Sequence, residues 1–328
     1  MSSGLQRRRG HGGTTATTER GGTFENDDHR VAYDSRDVPS DNDEQAQSRL
    51  TLMEEVLLLG IKDEEGYLSF WNDSISYVLR GCIMIELALR GKIAMVNDPV
   101  RRRVPLEDRL VELVDSRMTG DVLLDETLRL MKQTEEHLSV ATWINYLSGE
   151  TWNITKISYQ LKQVRERLSK GLVDKGILRT EKRNFFLFNM PTHPLADAAV
   201  KEEVRRRLVH LVTTNEPNLE PTSTCPAKMP YRYLRTIALV TSAYTGDVLE
   251  NALTLMGYDA RDKAFMRAQA LLDDYSEYPF STRHEAWATA LAELVSYETD
   301  NLSDTANLSI EVFAAVLKVY TQVHDNPL

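Results

Sequence analysis

Sulfur cross-links are the first thing this sequence lacks. Only Cys82 and Cys225 occur in 328 residues, too few for a disulfide framework or a thiolate zinc site, and a reducing compartment is expected. No apolar run approaches the ~18 residues that a membrane-spanning helix needs. The opening residues, SSGLQRRRGHGG, lack the apolar core of a secretion signal. The expectation is a soluble intracellular protein, in which the sequons at Asn72, Asn153, Asn301 and Asn307 are chance matches. Positive charge is also short: 39 Lys and Arg face 49 Asp and Glu, a formal net charge of -10. That balance argues against a protein whose main task is coating nucleic acid, while leaving room for one local basic face.

Catalytic signatures are scarce as well. There is no phosphate-binding GxxxxGK[ST], no dinucleotide GxGxxG, no GxSxG and no HExxH. The seven histidines are dispersed, and His193 and His210 have no supporting ligand spacing. Cys82, between Gly81 and Ile83 on an apolar stretch, reads as a small buried hydrophobe rather than a nucleophile. Acidic pairs such as Glu54–Glu55 and Asp63–Glu64–Glu65 fall at helix ends and turns, where carboxylates are ordinarily solvated. Neither an enzyme nor a cofactor or metal is expected.

What is present divides at about residue 48. Residues 1–48 form a polar arm with Gly-Gly pairs and Thr repeats, interrupted by isolated apolar residues such as Phe24, Val31 and Tyr33. Such a stretch cannot bury enough surface to offset its ordering entropy and is expected to be disordered. Its first charges, Arg7, Arg8 and Arg9, are all positive, whereas Asp27 through Glu44 are mainly acidic. Residues 49–328 read as a single, mainly α domain with small β-hairpins. LTLMEEVLLLGI has helical apolar spacing and stops at Gly60; SISYVLRGCIMIELALRG, capped by Asn72 or Asp73 and closed by Gly91, is apolar on almost every side and predicts a central buried helix. Lys92 to Val96 reads as a strand. TKISYQLKQVRERLSKGLVDKG is amphipathic, and ILRTEKRNFFLFNM predicts a hairpin turning near Glu181 to Asn184. Further helices are expected at 198–212, 234–243, 248–256, 261–273, 284–295 and 310–323, with a Pro-rich surface loop at 215–230. TGDVLLDETLRLM from Thr119 echoes TGDVLENALTLM from Thr245, and in both Thr or Asp is placed to cap a helix.

One charge stands where it should be unfavourable. Arg80 lies within YVLRGCIMI, and its neighbours one turn away are Ser76, Tyr77, Ile83 and Met84, none of them a carboxylate. It either snorkels or pairs with a distant acid, or else it holds a guanidinium beside a pocket for an external anion. A second basic group comprises Lys162, Arg165, Arg167 and Lys170. Lys162 and Arg165, one turn apart, are expected on one face, their repulsion partly relieved by Glu166. Such a run is ordinarily a solvated face. Together with Arg80 and Trp71 of SFWND it suggests cations that clasp phosphate oxygens and an indole that lies in a lipid interface.

LTLMEEVLLLGIKDEEGYLSFWND, LRGCIMIELALRGKI, TGDVLLDETL, GETWN and VRERLSKGLVDKGILRTEKRNFFLF, in this order, resemble the Golgi phosphoprotein three family, from Leu50 to the C-terminus. The resemblance implies a peripheral adaptor on the cytosolic face of Golgi membranes, exchanging with the cytoplasm. It also implies recognition of phosphatidylinositol 4-phosphate and binding to the cytosolic tails of Golgi glycosyltransferases, which the family retains through COPI vesicles. The family's headgroup site falls on Trp71, Arg80, Lys162 and Arg165. Animal members carry arginine where Lys162 stands, so charge is kept there but bidentate geometry is not. Leu5 to Arg9 resembles the fungal members' coat-binding cluster and assigns that role to Arg7, Arg8 and Arg9. The family's self-association hairpin falls on Ile177 and on Phe185, Phe186, Leu187 and Phe188, implying a dimer or tetramer. The competing reading is a winged-helix nucleic-acid-binding protein, since 151–190 run helix, turn, basic helix, hairpin. Acidic net charge and the apolar would-be wing weigh against it.

Overall fold

Among the described residues Thr51 starts the first helix, α1 (Leu52–Gly60), with a reciprocal capping box: its backbone N–H donates to Glu54 Oε2 at 2.8 Å, and the Glu54 N–H donates to Thr51 Oγ1 at 3.4 Å. The computed structural model describes residues 48–68, 74–150, 154–185, 188–280 and 285–325. The arm expected to be disordered, with Arg7 to Arg9, therefore lies outside the described residues apart from Ser48, and so do the caps Asn72 and Asp73.

The described chain is mainly helical. After α1 come α2 (Ser74–Leu89), β1 (Ile93–Met95), β2 (Leu110–Leu113), α3 (Val122–Gln133), β3 (Leu138–Ser139), α4 (Val140–Ser148) and α5 (Val164–Asp174). The hairpin strands β4 (Glu181–Phe185) and β5 (Phe188–Thr192) follow. Then come α6 (Ala198–Thr213), α7 (Arg232–Thr245), α8 (Leu249–Leu253), α9 (Tyr258–Tyr275), α10 (Ala286–Thr299) and α11 (Asp304–Asp325). The sheet β1–β2–β3 is antiparallel, with Ile93 opposite Leu113 and Val111 opposite Leu138.

Helix α2 is the axis of the domain. Every residue in it except Ser74 and Ser76 is buried, as apolar character on almost every side predicts. It packs against α1, α4, α7 and α11. Gly81 permits the approach of α11, because a Cβ there would overlap the ring of Tyr320, whose hydroxyl donates to Val78 O at 2.8 Å. At its end, left-handed Gly91 (φ +66) lets the Lys92 N–H return to Leu87 O at 2.9 Å. Cys82 is fully buried beside Ser242 and Tyr320, and burial pushes its thiol up to about 12. It is a core side chain, not a nucleophile.

Four expectations need correction. The amphipathic stretch from Thr155 is not one helix: a 3-10 turn at Ile154–Tyr159 is followed by a break, and α5 begins only after Gln163, which is left-handed (φ 53). The hairpin does not turn near Glu181 to Asn184. Those residues form β4, and Phe185 pairs with Phe188 at the closed end. In the echoed TGDV segments, Asp121 caps α3 by accepting from the N–H groups of Leu123 and Leu124. The second copy works differently: α7 runs to Thr245, and α8 follows Val248, an N-cap residue that makes no side-chain cap. Finally, Glu54 and Glu55 are not solvated but 2 % and 4 % exposed, each in an ion pair.

Those pairs belong to a buried charge lattice. Glu54 meets Lys175 at 2.6 Å, Glu55 meets Arg207 at 2.6 Å, and Glu86 meets Arg90 at 2.7 Å and Arg235 at 2.9 Å. Glu55 and Glu86 join α1 and α2 to α6 and α7 through Arg207 and Arg235, Glu54 joins α1 to the end of α5, and Arg80 is left out.

Candidate functional site

Arg80 lies one turn above Ser76 on α2, and only 7 % of it is exposed. Three of its N–H donors go to carbonyl oxygens: Nη1 to Ser76 O at 2.7 Å, Nη2 to Leu161 O at 2.9 Å and Nε to Leu147 O at 3.3 Å. Guanidinium has five such donors. Among the described residues Arg80 forms no ion pair. The side chain therefore stitches α2 to the end of α4 and to the connecting segment that leads into α5, while no carboxylate among the described residues contacts it directly.

Ser76 gathers a second cation. Its Oγ accepts from Arg165 Nε at 2.7 Å, so the first turn of α5 is docked on the first turn of α2. Two guanidinium groups thus converge on one serine, through its carbonyl and its hydroxyl. The Arg80 pKa is lowered to about 10, by burial first and then by the Arg165 charge, with Glu150 opposing. Burial raises the Glu150 carboxyl in turn, and Arg80 opposes that rise. Tyr77, beside them on α2, donates its hydroxyl to Asn145 Oδ1 at 2.8 Å, and burial pushes its pKa up. An anion placed against Arg80 and Arg165 would remove a repulsion that the folded chain otherwise sustains.

Lys162 is exposed and directly follows Leu161, the residue that receives Arg80. The break at Gln163 removes it from α5, so it does not share a helical face with Arg165 as its spacing implies; it lies on the connecting segment. Arg167 points elsewhere, to Glu126 of α3 at 2.6 Å, and Lys170 is exposed. The basic run is thereby divided: Arg165 shares Ser76 with Arg80, Lys162 is exposed next to Leu161 in sequence, and Arg167 is paired with Glu126. Trp71 lies outside the described residues.

The hairpin candidates separate too. Ile177 is fully buried, its N–H bonded to Leu172 O and its carbonyl accepting from Ala196. It anchors the base of the hairpin to the core. Phe185 and Phe188 face each other in the backbone register, while Phe186 and Leu187 lie outside the described residues. Three contributors carry no assignment from sequence: Ser76 and the carbonyls of Leu147 and Leu161. Ser76 carried a signal, since it is the polar residue one turn before Arg80; carbonyls carry none. Among the described residues no cluster of His, Cys, Asp and Glu is arranged to hold a metal ion, and no helix is long and apolar enough to cross a membrane.

The class that fold and site define is a mainly helical domain in which two guanidinium groups converge on Ser76, and residues 52–299 match the family Golgi phosphoprotein 3 (GPP34). The chain belongs to that family. It is similar to "Vacuolar protein sorting-associated protein 74" of Schizosaccharomyces pombe, 53% identical over 298 residues that cover 90% of this chain and 88% of the relative. The protein of the same name from Eremothecium gossypii is 51% identical over 300 residues, covering 90% of each chain.

Proposed function

We propose that this chain is a Golgi-associated adaptor that binds the cytosolic leaflet through phosphatidylinositol 4-phosphate. The observation that carries the reading is Arg80: a buried guanidinium tied to carbonyls, facing Arg165, with no ion pair among the described residues. Arg80 and Arg165 form the floor of the headgroup site, Lys162 its rim, and Trp71 the interfacial aromatic. The family and the relatives named for vacuolar protein sorting support a Golgi role. An acidic protein is repelled by an anionic leaflet as a whole, so binding requires one oriented basic face. Screening over about 8 Å lets that face outweigh remote negative charge.

In this reading Arg7, Arg8 and Arg9 engage the COPI coat. The domain binds cytosolic tails of Golgi glycosyltransferases, and the two together retain those enzymes by retrograde vesicle transport. The β4–β5 hairpin brings copies together as a dimer or tetramer. Linked sites raise residence on the membrane through effective concentration when all face the same leaflet. No catalytic step is part of this function.

Vesicle co-sedimentation at near-physiological salt tests the site. Phosphatidylcholine vesicles carrying phosphatidylinositol 4-phosphate are compared with vesicles carrying other phosphoinositides or phosphatidylserine at matched surface charge. Selective binding to the 4-phosphate lipid is expected, with affinity reduced about 100-fold in the double variant Lys162→Ala, Arg165→Ala. Equal binding to every anionic surface would overturn the shaped headgroup site. Steeply salt-dependent binding to duplex DNA, lost in Arg165→Glu, would favour the nucleic-acid reading instead.

A further inference from the structure

Immediately before Leu161 and Lys162, the chain makes the 3-10 turn Ile154–Tyr159. Its underside is fixed by aromatic packing. The Tyr159 ring lies 6.0 Å from Trp143 and 5.6 Å from Tyr146, centroid to centroid, and its hydroxyl accepts from Thr134 Oγ1 at 3.1 Å. Lys156 is held over both tyrosines, its Nζ 5.2 Å from the Tyr159 centroid and 5.8 Å from that of Tyr146. The outer side is different: Thr155 and Ser158 are exposed, and Ile157 between them is 46% exposed. A turn pinned in this way cannot rotate Ile157 inward. The result is one aliphatic side chain held outward beside a lysine on tyrosine rings, a combination suited to a boundary that is apolar on one side and wet and anionic on the other.

We infer that the Ile154–Tyr159 turn is a second membrane contact, in which Ile157 enters the acyl boundary while Lys156 and its tyrosines stay at headgroup level. The inference rests on the headgroup reading of Arg80, Lys162 and Arg165 and extends the same surface. The two are continuous through backbone: Gln160 donates from its N–H to Ile157 O at 3.1 Å, Leu161 O receives Arg80, and Lys162 follows. Lys156, Lys162 and Arg165 give this surface the sign that an anionic leaflet requires. The headgroup contacts select the lipid and fix the orientation; the isoleucine adds partitioning without selectivity.

The test uses the full chain with Ile157→Cys, labelled with an environment-sensitive nitrobenzoxadiazole dye. Cys82 and Cys225 are both fully buried, so the introduced thiol is the accessible one among the described residues. On vesicles carrying phosphatidylinositol 4-phosphate, a blue shift with quenching by lipids spin-labelled near the top of the acyl chain supports the inference. Co-sedimentation with the dye still reporting water overturns it and leaves the headgroup reading standing. No recruitment of the unlabelled wild type to these vesicles would remove both. A second variant, Ile157→Ser, is expected to keep the lipid preference and thermal stability while lowering the vesicle partition coefficient about tenfold. An unchanged coefficient would also overturn the inference. Loss of preference belongs instead to Lys162→Ala, Arg165→Ala, so the two contacts are separable.

Discussion

Replacing Glu86 with alanine is expected to destabilise the domain by about 3–5 kcal/mol, because it strands a charge rather than merely opening a hole. Glu86 is fully buried on α2. It accepts from both terminal nitrogens of Arg235 at 2.9 and 3.0 Å, from Arg90 Nε at 2.7 Å and from the Leu52 N–H at 3.0 Å. Arg235 is 8 % exposed, so without Glu86 it retains a positive charge that neither water nor a direct partner compensates. The double variant Glu86→Met, Arg235→Met removes both charges and is expected to be far less damaging than the single change. That non-additivity, measured by urea unfolding, distinguishes a lost ion pair from lost packing. A single change that costs under about 1 kcal/mol would show that the pair contributes little.

The same carboxylate sets part of the acid response. Burial alone would raise the Glu86 pKa, but Arg235 and Arg90, with hydrogen bonds from Arg235 and the Leu52 N–H, outweigh it and hold the group well below the usual carboxylate range. A depressed folded-state pKa means that the unfolded chain binds the proton more readily. The contribution is therefore complete above the unfolded value of about 4.3 and is lost as pH falls toward the folded one. Glu86→Gln is expected to flatten the acid limb of the stability curve below about pH 5 while lowering stability at neutrality.

This lattice also marks where sequence reading stops. The burial of α2 was legible because its helical wheel is apolar on almost every side. Glu54 and Glu55 were not, since two acids in the first turn of a helix look the same whether solvated or paired. What buries them is a partner far away in the chain: Arg207 is 152 positions from Glu55, as Arg235 is 149 from Glu86. The hairpin turn was misplaced for a related reason. Composition points to the polar Glu181–Asn184 stretch, yet the chain reverses between Phe185 and Phe188, where no Gly, Asn or Pro marks a turn. The helix break at Gln163 is equally unmarked, for a left-handed glutamine has no compositional signature. The burial of Arg80, unpaired among the described residues, was legible from a local absence, four helical neighbours without a carboxylate. Its actual partners are three carbonyls, Ser76 O on its own helix and two brought in from α4 and the α5 lead-in, and they do not cancel its charge.

Arg80→Met is expected to abolish selective binding to phosphatidylinositol 4-phosphate vesicles, with a loss of at least about 100-fold, while shifting stability by no more than about 2 kcal/mol in either direction. Two effects oppose each other in the stability. Methionine fills similar volume but leaves Leu161 O without its guanidinium donor, which destabilises. Against this, the folded chain is a poor host for the cation: burial and the nearby Arg165 lower the Arg80 pKa to about 10, so removing the charge relieves a standing penalty. The pH dependence carries the sign of that penalty. A basic group with a lowered folded-state pKa binds fewer protons folded than unfolded, so wild-type stability should gain relative to Arg80→Met as pH rises above about 10. Circular dichroism melts of both proteins across that range measure the difference. A variant that keeps lipid selectivity would remove Arg80 from the site, whereas one that unfolds would make the residue a structural clamp. A stable protein that no longer distinguishes the 4-phosphate lipid is the result expected of a cation that the fold holds in reserve for an anion.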